Sequence, residues 1–62
     1  MTFTVWVKDT NADFGFRMYI VKRVNSHESA ACILYAKGLL DVREYNEAVV
    51  KSITERVTVV CE

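Results

Sequence analysis

Two alternating runs, TFTVWVK over Thr2–Lys8 and FRMYIVKRV over Phe16–Val24, flank the segment DTNADFG, Asp9–Gly15. In the first run Phe3, Val5 and Val7 take one face, and Thr2, Thr4, Trp6 and Lys8 take the other. A period of two filled by β-branched and aromatic residues is the signature of a half-buried strand. The second run alternates again, with Phe16, Met18, Ile20, Lys22 and Val24 set against Arg17, Tyr19, Val21 and Arg23. Asp, Asn and Gly between them are turn residues. The two runs therefore predict an antiparallel hairpin.

Beyond the hairpin, Asn25 with Glu28 three residues later resembles a capping box, and Ser26 is an equally good N-cap. SAACILYAK follows, rich in helix formers and apolar almost all round, so the predicted helix over 26–37 should be covered on more than one side. Gly38 fits the left-handed position just past its end. Asp41 with Glu44 makes a second capping-box pattern, and Val42, Tyr45, Val49 and Ile53 recur at near-helical spacing. This predicts a second helix over 41–50 and a strand over 52–61. The branched residues Val49, Val50, Ile53 and Thr54 favour a competing version, one long bent strand over 47–61. The order ββα(α)β reads as a single small α+β domain spanning 1–62. Its three-stranded antiparallel sheet carries one or two helices packed on one face.

Length and composition narrow the function classes. The chain has 62 residues, a formal net charge of zero, 52% hydrophobic residues and no proline. No second core or deep interlobe cleft fits in that length. Zero net charge argues against a dedicated duplex-DNA binder. No apolar run is long enough to span a membrane, and the start MTFTVWVKD has no basic segment followed by an apolar one. The expected location is the cytoplasm. At about 25 cal/mol per Å² of apolar surface, folding returns roughly 90 kcal/mol. Ordering the chain at about 1.5 kcal/mol per residue costs nearly the same. Cys32 and Cys61 supply at most one disulfide. An apolar surplus without staples points to burial against another chain, as a homodimer or on an obligate partner.

The candidate chemical motifs are weak. Asp9-x-Asn11-x-Asp13-x-Gly15 resembles the opening of a calcium loop, but Phe14 stands where glycine is needed and Ile20 where the bidentate Glu is needed. It reads as a turn, with no metal and no cofactor. Two cysteines and one histidine do not make a four-ligand zinc site; Cys32 reads as a small buried hydrophobe and Cys61 as exposed. His27 reads as a solvated residue of a first helical turn. Asp41, Glu44 and Glu47 form an acidic stretch with nothing to mark a paired acid and base. No enzyme is read from these residues. Residues 1–37 carry five basic and three acidic side chains, and residues 38–62 carry three and five, so the halves are oppositely charged.

The second face of the hairpin is more informative. With Phe3, Val5, Val7, Met18 and Ile20 directed at the helices, the opposite face carries Trp6, Tyr19 and Val21, with Lys8, Arg17 and Arg23 around them. Trp, Tyr and Arg are enriched at binding hot spots. The chain is thus expected to be a small non-enzymatic protein-interaction module, working as a homodimer and binding its partner through this face. The acidic residues Asp41, Glu44 and Glu47 are a secondary candidate surface. Short frames opening on their own Met1 are abundant in phages and mobile elements, which suggests an inhibitor or modulator of a host macromolecular complex. The alternative is an RNA or single-stranded DNA binder, with rings stacking on bases and arginines holding phosphates on the same face. A subunit of a larger particle is a third possibility.

Overall fold

Alternation carries Phe3–Lys8 into strand β1 and Phe16–Val21 into strand β2, which pair antiparallel. Helix α1 spans His27–Ala36, helix α2 spans Val42–Val50, and strand β3, Val57–Cys61, returns antiparallel to β1. The computed structural model describes residues 1–51 and 53–61. The sheet order is β2-β1-β3, with β1 central and both helices on one face: an α+β fold.

The helix boundaries follow from side chains that cap the N-termini and from backbone N–H groups that close the C-termini, satisfying orphan groups of each end. Ser26 is the N-cap of α1, its Oγ accepting from the Ser29 N–H at 3.2 Å. Past the other end Gly38 takes φ 76°, and the Leu39 N–H donates to the Leu34 carbonyl while the Gly38 N–H donates to that of Tyr35. That pair of bonds is the Schellman arrangement. Asp41 and Glu44 close a reciprocal capping box at the start of α2, at 2.8 and 2.9 Å.

The core is built from valines facing alanines. Val5 and Val7 of β1 and Val57 of β3 are fully buried, as are Ala30 and Ala31 of α1 and Ala48 of α2. Small residues on the helix faces let the helices settle close to the sheet. Leu34 and Leu40 fill the space between the layers, and Tyr35 stacks on Tyr45 at 4.6 Å to join the two helices. The helices lie mainly over β1 and β3, so β2 overhangs the helix layer.

Several expectations change. The predicted strand over 52–61 begins only at Val57; its first residue, Ser52, lies outside the described residues. Thr54 Oγ1 accepts from the N–H groups of Arg56 and Val57, which turns the chain and brings Ile53 into a bridge with Thr58. The long bent strand over 47–61 is excluded by α2. Strand β2 stops at Val21 rather than 24, because Arg23 adopts φ 62°. The Val24 N–H then donates to the Met1 carbonyl, one residue out of the β1–β2 register, as in a bulge. Helix α1 is covered on one side only: Ala30, Ala31 and Leu34 are buried, whereas Cys32, Ile33 and Tyr35 are exposed. Cys32 is therefore not a core residue. Adding a Cβ at Gly38 meets nothing within 4 Å, so Gly38→Ala carries only the left-handed backbone penalty, about 1 kcal/mol. A urea melt of that variant should show the loss; a midpoint equal to wild type would contradict the cap.

Candidate interaction surface

Residues directly opposite one another in an antiparallel pair point to the same side of the sheet. Val5 lies opposite Tyr19, Val7 opposite Arg17, and Phe3 opposite Val21. Arg17, Tyr19 and Val21 consequently face the helices, and the expectation that they share a face with Trp6 is overturned. Trp6 lies opposite Met18 and Thr58, Thr4 opposite Ile20 and Val60, and Lys8 opposite Phe16. The outer face is thus Trp6 and Lys8 with Phe16, Met18, Ile20 and Val60. Of the expected set, Trp6 and Lys8 lie there, and Arg23 is exposed beyond the end of β2.

The inward Arg17 is accommodated by a network assembled from three parts of the chain. Its Nη2 donates to Glu44 Oε2 at 2.8 Å, and its Nη1 donates to Tyr19 Oη and to the Leu39 carbonyl, both at 2.9 Å. Its Nε lies 3.0 Å from Asp9 Oδ2, a charge contact in which the N–H direction misses hydrogen-bond geometry. Burial works against the guanidinium charge, but the Tyr19 hydrogen bond and the Glu44 and Asp9 carboxylates outweigh it and hold the pKa above its ordinary value. Arg17 and Glu44 are thereby committed within the fold. Asp41 is occupied as a cap, and Glu47 lies 3.8 Å from Arg56. The acidic stretch over 41–47 is spent largely on internal contacts rather than presented as one surface.

His27 is half-buried rather than solvated. Its Nε2 lies 3.2 Å from the Val49 carbonyl oxygen and its Nδ1 lies 3.0 Å from Glu28 Oε1, tying the start of α1 to the end of α2. In the hairpin loop, Asp9 Oδ1 accepts from the Asn11 N–H at 2.9 Å and Gly15 takes φ 80°. These are turn functions, and among the described residues no group of three or more His, Cys, Asp or Glu is placed to hold a metal ion.

The outer face is apolar and open. Met18 is 47% exposed, Ile20 54%, Phe16 42% and Val60 43%. Trp6 lies half-buried among them, its ring edge-on to Phe16 at 5.0 Å. Full burial of such a side chain contributes about 1.5–3 kcal/mol, so covering each half-exposed one would add roughly 1 kcal/mol. Beside this face, between the edge of β2 and α1, lies a groove of about 420 Å³ lined by Tyr19, Val21, Ile33 and Leu39, with Lys22 and Lys37. Phe16, Met18, Ile20 and Val60 are the surface residues that sequence patterning misses. The signal that finds them is the loop: with Lys8 closing on Phe16, Trp6 must share a face with Met18.

No family model matches the chain, and none of the curated proteins or solved structures is significantly similar to it. No helix among the described residues is long and apolar enough to cross a membrane. If Arg17 compensates the buried Glu44, Arg17→Met should lower the unfolding free energy by about 2 kcal/mol, less than for a fully buried pair because Arg17 is partly exposed. Glu44→Gln should cost about half as much, since the amide keeps a capping group. Urea unfolding monitored by Trp6 fluorescence checks both, and an Arg17→Met midpoint matching wild type contradicts the role.

Proposed function

We propose that the chain is a small non-enzymatic protein-interaction module, acting as a homodimer and modulating or inhibiting a macromolecular partner through the outer face of its sheet. One observation carries this reading. Of the two alternating sets on β2, the more apolar one, Phe16, Met18 and Ile20, faces out, while Arg17 faces in. Hydrophobic burial alone favours the reverse. A sheet that spends an inward arginine to display apolar side chains is suited to a surface that is covered in use. Trp6 and Lys8 supply an aromatic anchor and a flanking charge on that face. A cytoplasmic partner in a host cell, as for a phage or mobile-element product, belongs to the same proposal.

The nucleic-acid reading loses support from the same register. It needs Tyr19 and Arg17 beside Trp6, and both point toward the helices. Lys8 is then the principal cation of the outer face, too little for a strand of phosphates.

The test uses Val60, which lies on β3 and is exposed. Tagged wild-type protein should capture one stoichiometric partner from extract of its natural host. Val60→Lys should weaken that capture at least tenfold while leaving the urea midpoint unchanged. Equal capture by Val60→Lys and by Ile20→Lys would contradict the assignment of the face. Quenching of Trp6 fluorescence by a single-stranded oligonucleotide, falling steeply with salt, would replace it with the nucleic-acid reading.

A further inference from the structure

Edge strands expose a row of unpaired N–H and C=O groups, which proteins commonly blunt with charge, proline, a bulge or a covering segment. The two edges of this sheet differ. On β3 the chain folds back on itself: Ile53 bridges Thr58, and the Thr54 N–H donates to the Val57 carbonyl. On β2, among the described residues, the protections are Lys22 and the Arg23 bulge, and both come after the strand has ended. The strand itself has no proline, and its one charge, Arg17, is turned inward.

The direction of the free groups follows from the hairpin. The Asp9 N–H donates to the Gly15 carbonyl, so along the ladder Arg17, Tyr19 and Val21 bond to β1, and the backbone groups of Phe16, Met18 and Ile20 point to the open edge. No backbone partner for these groups occurs among the described residues. Because the helices lie mainly over β1 and β3, the helix side of this edge opens, beyond the Arg17 network, onto the groove beside Ile33 and Leu39.

We infer that the open edge of β2 pairs antiparallel with β2 of a second copy, about a twofold axis at Met18, to make a continuous six-stranded sheet. This deepens the proposed homodimer and rests on that reading. The occupant is a second copy because the strand is self-complementary in that register. Phe16 falls opposite Ile20 of the partner subunit and Met18 opposite Met18 of the partner subunit, each pair exchanging both backbone bonds and packing apolar side chains on the outer face. On the inner side Arg17 falls opposite the partner's Tyr19, so no like charges oppose each other within the strand. At each end exposed Lys22 meets the partner's Asp9–Gly15 loop, which carries exposed Asp13, an opposite charge. Joining the edges also merges two outer faces into one wider apolar surface.

Position 18 facing itself gives a direct test by sedimentation velocity at micromolar concentration. Wild type should sediment as a dimer of the 7.1 kDa chain. Met18→Lys and Met18→Glu should each be monomeric, because like charges then meet on the axis, and an equimolar mixture of the two should recover the dimer. That recovery also shows that both variants fold. On the wild type alone, hydrogen exchange should slow at the amides of Phe16, Met18 and Ile20 at least tenfold between dilute and concentrated samples. A monomeric wild type overturns edge pairing, as does a dimer whose three amides exchange at a concentration-independent rate, which marks face-to-face packing. A monomer that still loses its partner on Val60→Lys overturns the pairing and the homodimer with it, and leaves the partner-binding face standing.

Discussion

Everything distinctive about this surface depends on the register in which β1 lies against β2. Side chains alternate with a period of two, so a slip of one residue would exchange the faces of β2 entirely. Closing the hairpin at Lys8 and Phe16 turns Arg17, Tyr19 and Val21 inward and Phe16, Met18 and Ile20 outward. Two local devices hold this closure: the Asp9–Asn11 side-chain turn and the left-handed Gly15. One long-range device joins them, the Arg17 guanidinium gripping Glu44 at the start of α2 and the Leu39 carbonyl before it. Turning the charge inward has a desolvation cost that a methionine would not incur, and the three-part network offsets it.

The same network explains why Glu44 at the start of α2 is occupied. Glu44 closes a capping box through Oε1 and pairs with Arg17 through Oε2. One carboxylate therefore fixes both the start of α2 and the orientation of β2. The interior is filled by Phe3 and the valines of the sheet with Leu34, Leu40 and the helix alanines, and the remaining apolar residues lie outside it. Phe16, Met18 and Ile20 are left outside, with an unpaired strand edge running through the same residues. Apolar side chains and an unpaired backbone edge of one short segment are thus both open to solvent.

Much of the fold was legible in local patterns. The hairpin is carried by alternation, α1 by Ser26 and Gly38, and α2 by Asp41 with Glu44, each a signal contained within a few residues. The facing of β2 was not, because hydrophobicity along the strand favours Met18 and Ile20 inside, and the partner that draws Arg17 inward lies 27 positions away. The start of β3 was obscured for a related reason. Ile53 and Thr54 have branched side chains suited to extended backbone, but the Thr54 hydroxyl turns the chain before Val57. Cys32 and Ile33 look like core by composition, yet the sheet offers only one face and α1 spends Ala30, Ala31 and Leu34 on it. The site was therefore half legible: Trp6 and Lys8 follow from β1, whereas their true neighbours require the register.

Register is also what a solution measurement reads most directly. In a nuclear Overhauser spectrum the Trp6 indole should show cross-peaks to the Met18 methyl and the Phe16 ring, with Tyr19 ring protons meeting the Val5 methyls across the other face. Strong cross-peaks from Trp6 to Tyr19, with Met18 and Ile20 methyls contacting Val5 or Leu34, would contradict the register and the outward apolar face that depends on it.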